Sequence, residues 1–114
     1  MGRQDDIAKL LPLTEATYYI MLSLVEPLHG YAVMQNVDRI SKGTVKVGPG
    51  TLYGVFTALE NAALIIKVKE EERRKSYVLT PKGKRLLLEQ IKRTEIMAQN
   101  GLEVINILKS NQPA

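Results

Sequence analysis

The sequence predicts a mainly α-helical (α+β) fold in which three short helices precede a two-stranded hairpin and one long C-terminal helix. Three observations predict this order. Apolar residues recur at helical spacing in three segments of the first half of the chain. Apolar and charged residues alternate around Ile66 and Val68, which is typical of a strand. From Pro81 to about Ser110 the helical spacing continues, and at 1.5 Å per residue this helix is roughly 45 Å long.

The first two helices have clear boundary signals. Thr14 is a suitable N-cap for a helix over EATYYIMLSLVE, and Pro27 ends that helix. A second helix is predicted over YAVMQNVDRISK, with Gly43 just beyond its end. Before Pro12, apolar residues at helical spacing predict a turn or two of helix in an N-terminal arm, at Ile7, Leu10 and Leu11.

The stretch KVGPGTLYGVFTALENAALI leads from a predicted strand into the third helix. The β-branched alternation of residues 44–47 predicts the short strand. Gly48 is placed as the N-cap and Pro49 as the first helical residue, where the missing N–H is harmless. The backbone N–H groups at this helix start are therefore uncovered, which favours an anion. A buried stripe is predicted at Leu52, Val55, Phe56, Leu59 and Ala63.

The composition is that of an ordinary globular chain. Of its 114 residues, 45% are hydrophobic and 25% are charged. The net charge of +4 and the pI of about 9.4 favour anionic partners such as nucleic acid, although many small basic proteins bind none. The absence of cysteine excludes disulfides and thiolate chemistry. No signal sequence or membrane-spanning run is visible, so we expect a cytoplasmic protein.

The predicted order of elements is that of a winged helix-turn-helix extended by one helix. In this fold the second and third helices form the helix-turn-helix, and the third can enter the major groove of DNA. We therefore expect residues 1–80 to form the N-terminal arm and a winged helix-turn-helix DNA-binding domain. Residues 81–114 are expected to form a C-terminal dimerisation helix.

Three segments closely resemble the PadR family of bacterial transcriptional regulators: LTEATYYIMLSLVEPLHGYAVMQNV, GPGTLYGVFTALENAALI and RRKSYVLTPKGKRLL. They follow the order and spacing of the family and span residues 13–88. The single long C-terminal helix is similar to that of the short PadR-like subgroup. The resemblance implies a homodimeric DNA-binding repressor with a pseudo-palindromic operator, often relieved by a small-molecule effector. We expect no cofactor.

Candidate DNA contacts cluster at the start of the third helix. We expect Lys46, Thr51 and Tyr53 to contact phosphates. Thr57, one turn further on, is expected to face base edges. The exposed face of this helix carries no Arg or Lys, so specificity is expected to depend on Thr57, Asn61, water or DNA shape. In the alternative interpretation, Tyr53 is a core tyrosine and Thr51 only starts the helix.

The predicted hairpin supplies the positive charge that the third helix lacks. Arg73, Arg74 and Lys75 are expected to contact the DNA backbone beside that helix. The glutamates at residues 70–72 oppose such contacts if they face the same way. A solvated hairpin tip is the alternative, and only the DNA-contacting tip predicts a steep salt dependence.

The long C-terminal helix is expected to form a dimer because the rest of so small a chain cannot cover it. Its apolar residues follow a spacing close to a heptad repeat, at Leu87, Ile91, Ala98, Leu102, Ile105 and Leu108. A core helix within one chain is the alternative. A small apolar effector is predicted to lodge between the dimer helices, near Met97, Tyr18 or the N-terminal arm.

The sequence offers no catalytic site. His29 is the only histidine, lies in a predicted turn, and has neither a cysteine nor a carboxylate cluster nearby. The GPG sequence lacks the rest of a phosphate-binding loop. We therefore expect no enzymatic activity and no metal site. The alternative function is a winged-helix module that binds protein and not DNA, which the charge-poor third helix favours.

Overall fold

The computed structural model describes residues 7–71 and 74–110. The described elements are α1 (Glu15–Ser23), β1 (Leu28–His29), α2 (Gly30–Ile40), α3 (Pro49–Asn61), β2 (Ile65–Glu71), β3 (Arg74–Leu79) and α4 (Pro81–Ser110). Helices α2 and α3 form the helix-turn-helix, and β2 with β3 forms the wing. The predicted fold class is confirmed.

The helix starts follow the capping signals of the sequence. Thr14 Oγ1 accepts a hydrogen bond from the N–H of Thr17 at 3.1 Å and so caps α1. Helix α3 begins at Pro49 after the N-cap Gly48, and no side chain caps its first N–H groups. Helix α4 begins at Pro81. All three starts agree with the sequence prediction.

Helix α2 starts one residue earlier than predicted because a histidine caps it. His29 Nδ1 accepts a hydrogen bond from the N–H of Ala32 at 3.4 Å. At the other end, Gly43 has a φ of +76° and its N–H donates to the carbonyl of Asp38 at 2.8 Å. Gly43 therefore ends the helix in the left-handed conformation that the sequence predicted.

The N-terminal arm forms a turn that docks on the core. The N–H of Leu10 donates to the carbonyl of Ile7 at 3.0 Å, and the N–H of Leu11 donates to that of Ala8 at 3.3 Å. The side chain of Ile7 is buried among the core residues, whereas Leu10 stays exposed. Among the described residues of the arm, Ile7 thus joins the core and Leu11 packs against it.

Helix α3 turns one apolar face into the core. Its buried side chains are Leu52, Phe56 and Leu59, with Val55 half-buried. The prediction for Ala63 was wrong, because this residue lies beyond the helix, exposed, with a φ of +61°. The N–H of Leu64 donates a hydrogen bond to the carbonyl of Leu59 at 2.9 Å. The chain therefore turns away from the helix axis at Ala63, which cannot extend the buried stripe of α3.

The predicted strand at residues 44–47 was also wrong. Val45 and Val47 are buried and their neighbours are exposed, so the alternation correctly identified the inward face. However, the backbone of Val45 bonds to a side chain: Ser41 Oγ accepts from its N–H and donates to its carbonyl, each at 3.1 Å. The segment therefore pairs with no strand among the described residues.

The third strand lies elsewhere in the sequence. The sheet has the order β1-β3-β2, and both pairs are antiparallel. Strand β1 places His29 opposite Ser76 of β3, which ties the start of α2 to the middle of strand β3. The register of β2 shifts between Lys67 and Lys69, so a bulge lies in the wing.

Only the first third of α4 belongs to the core. Leu86, Leu87 and Gln90 are buried, and Gln90 Oε1 accepts a hydrogen bond from the N–H of Leu13 at 2.7 Å. Every residue from 95 to 110 is exposed. Among the described residues, no helix combines the length and apolar character needed to cross a membrane. The second half of α4 therefore projects from the winged domain.

Candidate nucleic-acid interface

Helix α3 presents a polar face opposite its buried stripe; this face carries no Arg or Lys, and its one charged residue is the exposed Glu60 near the end of the helix. Thr51, Tyr53 and Thr57 are exposed on it, and Tyr53 has 54% of its surface accessible. Thr57 Oγ1 lies 2.9 Å from the carbonyl of Tyr53 and donates its hydrogen there. Its lone pairs are left as acceptors, so Thr57 is suited to receive hydrogen bonds from exocyclic amino groups of bases.

A groove with positive charge lies between α3, the start of α2 and the first residues of strand β3 in the wing. It has a volume of about 340 Å³ and is lined by His29, Gly30, Tyr31, Tyr53, Arg74, Lys75 and Tyr77. None of these lining residues is acidic. We call this set the cationic groove. The sequence predicted Tyr53, Arg74 and Lys75 here, and the structure brings them together.

Gly30 allows Tyr53 to lie across the start of α2. A Cβ atom at this position would lie 2.8 Å from Tyr53 Oη and 3.2 Å from Leu52 Cδ2. Phe56 supports the Tyr53 ring edge-to-face, with centroids 6.0 Å apart. In the described part of the chain the Tyr53 hydroxyl has no hydrogen-bond partner. The hydroxyl group of Tyr53 therefore lies at the cationic groove and not in the core. The alternative in which Tyr53 is a core tyrosine does not explain this position.

His29 and Arg74 lie side by side in the cationic groove. The Nδ1 atom of His29 accepts a hydrogen bond from the N–H of Ala32 at 3.4 Å. Arg74 Nη1 lies 3.5 Å from the Nε2 atom of the same ring. Because a guanidinium has five N–H groups, Arg74 keeps donors for an anion beside the positive end of α2.

The remaining predicted DNA contacts lie at different distances from this groove. Lys46 is exposed between two buried valines in the segment that leads into α3. Asn61 is exposed at the last residue of α3, about 15 Å along the axis from Thr51. The structure does not bring Asn61 to the groove. Arg73 lies outside the described residues.

Sequence reasoning missed His29, Gly30 and Tyr31 as site residues. They lie more than forty positions before Arg74, and only the β1–β3 pairing brings them beside it. The available signal was the HGY sequence at a helix start. A histidine cap followed by a glycine with no room for a Cβ marks a place where another side chain lies close.

The predicted dimer residues of α4 divide into two groups. Leu87 is only 5% exposed and Ile91 packs against the core of its own chain, so the structure places both in the winged domain. The other four are exposed, and these are Ala98, Leu102, Ile105 and Leu108. A free apolar seam therefore begins after the core-facing part of α4.

The two predicted effector residues are in different environments. Tyr18 is half-buried and packs edge-on against Tyr19, with centroids 5.5 Å apart. Burial, and then the charge of Tyr19, raise the pKa of Tyr18 above its usual value. Met97 is exposed on the projecting half of α4. Neither residue lines the cationic groove or a second groove, of about 420 Å³, between the arm and α4.

The fold, with its exposed third helix and basic wing, is that of a winged-helix regulator of transcription. The sequence model of the transcriptional regulator PadR-like family matches residues 20–89 of this chain. The chain belongs to this family. Its members regulate transcription and are not enzymes, in agreement with the sequence prediction.

Solved structures share the architecture. The chain is similar to RosR of H. salinarum, with a TM-score of 0.66 and 22% identity over 90% of this chain and 96% of that one. It is also similar to a PadR-like transcription factor from Bacteroides fragilis, with a TM-score of 0.62 and 27% identity over 89% and 94% of the two chains. The fold is therefore shared over nearly the whole length.

A curated relative is much longer than this chain. An uncharacterized 37.1 kDa protein in transposon Tn4556 of Streptomyces fradiae is 35% identical over 74 residues. The match covers 64% of this chain and 21% of that protein. The chain thus spans about a fifth of the length of this relative.

Proposed function

We propose that the protein is a homodimeric, sequence-specific DNA-binding repressor whose binding is relieved by a small-molecule effector. The cationic groove is the observation that carries this proposal. It joins the start of α2, the exposed Tyr53 and two wing cations in one site without an acidic residue. A DNA phosphate supplies the anion that such a site accepts.

The contacts divide into those that position the protein and those that read the sequence. Arg74, Lys75 and Tyr53 bind one backbone phosphate in the cationic groove, and Lys46 and Thr51 bind backbone on the other side of the α3 start. Thr57 accepts a hydrogen bond from a base amino group in the major groove. Because α3 has no exposed Arg or Lys, DNA shape contributes the rest of the specificity. Arg73 remains a proposed contact to the DNA backbone, and Asn61 remains a proposed contributor to specificity.

The dimer forms through the projecting half of α4. Leu102 and Leu108 are 60% and 61% exposed, so the seam leaves large apolar side chains in water within a single chain. Their spacing, with Ala98 and Ile105, suits a second copy of the same helix. A two-fold dimer presents two α3 helices to a pseudo-palindromic operator.

The effector and the site of action complete the proposal. A small apolar molecule binds beside Tyr18 and Met97, where α1 and α4 meet the second chain, and changes the separation of the two α3 helices. A bacterial regulator of transcription acts on the chromosome, so we propose that the protein acts in the cytoplasm.

The alternative function, a winged-helix module that binds protein and not DNA, is favoured by the charge-poor α3 helix. This alternative gives no role to the hydrogen-bond donors that meet in the cationic groove.

A binding experiment tests the function directly. Fluorescence anisotropy is measured with the DNA upstream of the protein's own gene and with a scrambled duplex of equal length. We expect specific binding that weakens steeply with salt. Equal affinity for both duplexes, or none, refutes the proposal and favours the protein-binding module. Transcription from the same DNA in vitro, with and without the protein, tests repression.

A further inference from the structure

The end of α3 and the start of α4 meet in a tightly bonded contact. We call residues 62–64, which follow α3, and residues 80–83, which begin α4, the joint. The two segments are separated in the sequence by the whole wing, yet they contact each other directly. The joint therefore connects the helix that faces DNA to the helix that projects from the domain.

Three consecutive carbonyls of the turn after α3 accept hydrogen bonds from the start of α4. Lys82 Nζ donates to the carbonyl of Ala62 at 3.0 Å, and Thr80 Oγ1 donates to that of Ala63 at 2.7 Å. The N–H of Thr80 donates to the carbonyl of Leu64 at 3.0 Å. The carbonyls of the turn that follows one helix thus have their hydrogen-bond partners at the beginning of another.

Thr80 has a second role because its hydroxyl also starts α4. Thr80 Oγ1 accepts from the N–H of Gly83 at 3.1 Å while it donates to Ala63. One oxygen atom therefore fixes the direction of α4 and holds the end of α3 in the same position. A change in either helix direction strains this shared contact.

Gly83 leaves no room for adjustment at the joint. A Cβ atom at this position would lie 2.1 Å from the carbonyl oxygen of Leu64. Ordinary contact begins at 3.4 Å, so the two segments would have to separate by about 1.3 Å (3.4 minus 2.1 Å) to give a side chain an ordinary contact here. The obstacle is backbone and not a flexible side chain, so it cannot rotate away.

We infer that the joint fixes the angle between α3 and α4, and that Gly83 and Thr80 are positioning residues for operator recognition. The inference rests on the proposed dimer. If two copies associate through the projecting half of α4, this angle sets the separation of their α3 helices. The joint then determines which half-site spacing the dimer accepts, and it transmits a movement of α4 to the DNA-facing helix.

Distance measurements between spin labels test the joint in a single chain. The sequence has no cysteine, so labels go on introduced cysteines only, at the exposed Glu60 of α3 and Gln99 of α4. Doubly labelled protein is diluted with excess unlabelled protein, so that only distances within one chain are read. We expect a narrow distribution for the native joint, a shifted one for Gly83→Ala, and a broadened one for Thr80→Val.

The control adds the same methyl group where the structure has space. Gly54→Ala on α3 meets nothing within 4 Å, so its distribution should match that of the unsubstituted protein. Thr80→Val keeps the side-chain shape, so it tests the joint even if Gly83→Ala does not fold. Distributions for folded Gly83→Ala and for Thr80→Val that equal the Gly54→Ala control overturn the inference.

A second measurement connects the joint to DNA. The probe is the duplex that the unsubstituted protein selects from a random library, with its half-site spacer lengthened or shortened by one base pair. For Thr80→Val we expect the preference for the native spacer to fall by about tenfold, the size of a typical base mismatch. The unsubstituted protein is the reference in this measurement, because Gly54 lies on the side of α3 that faces DNA, between Thr51 and Thr57. If no duplex is selected, the proposed function fails, whereas the label distances still decide the joint.

Discussion

Replacing Tyr53 by phenylalanine should weaken DNA binding without weakening the fold. The substitution removes only the hydroxyl, which lies over the start of α2 and has no hydrogen-bond partner in the described part of the chain. The ring and its packing against Phe56 are kept. The substitution therefore removes the contact with a DNA phosphate that we propose for this hydroxyl group and leaves the packing of the ring unchanged.

The expected size follows from one lost hydrogen bond in each protomer. A hydrogen bond to a charged group contributes about 1.5–3 kcal/mol, so a dimer loses about 3–6 kcal/mol. At about 1.4 kcal/mol per factor of ten, the Kd rises by roughly 10²- to 10⁴-fold. Anisotropy titration of the selected duplex at one salt concentration measures this change, and thermal unfolding checks that the melting temperature is retained.

Tyr19→Phe is the matched control because it removes the same group from a tyrosine that does not line the cationic groove. Its DNA affinity should equal that of the unsubstituted protein. A Tyr53→Phe variant that binds DNA as tightly as this control would show that the hydroxyl contacts no phosphate, and the assignment of the cationic groove would lose its central residue.

Three further substitutions test other parts of the account. Arg74→Ala should lower the slope of log Kobs against log salt by about 1.8, which corresponds to two lost phosphate contacts per dimer. Lys109→Ala, an equal charge change at the end of α4, should leave that slope unchanged. Leu102→Glu should convert the dimer to a monomer in sedimentation, because it places a charge in the proposed seam; a dimer that persists contradicts the seam. Gln90→Leu should lower the free energy of unfolding by about 1–3 kcal/mol, since the partly buried N–H of Leu13 loses its acceptor. Calorimetry measures that loss, and the exposed Gln99→Leu serves as its comparison.

The sequence predicted the helices well because their boundaries are set by neighbouring residues. Thr14 caps α1 through a residue three positions away, and Pro49 starts α3 by its own fixed φ. Such signals are complete within a few residues. Strand assignment at residues 44–47 failed because alternation reports which side chains are buried and not what the backbone bonds to.

The candidate site was only partly predictable for the same reason. Tyr53 could be proposed from its position near a helix start. The contribution of His29 and Gly30 depends on β1, a strand of two residues that exists only because β3 lies beside it. No local pattern predicts a strand of that length. Likewise, Leu87 fits the apolar spacing of α4, yet its own chain buries it.

The projecting half of α4 also bears on how much active protein a cell contains. Sixteen residues without tertiary support form a marginal helix in water, because helix nucleation is unfavourable and packing supplies most of the stability. In the proposed dimer, ordering of this segment and association are one event, so helicity rises with protein concentration. At protein concentrations too low for dimerisation, the winged domain of each chain is intact. However, its α3 helix is not held at a fixed distance from the α3 helix of another chain. Occupancy of the operator then depends on protein concentration more steeply than first order.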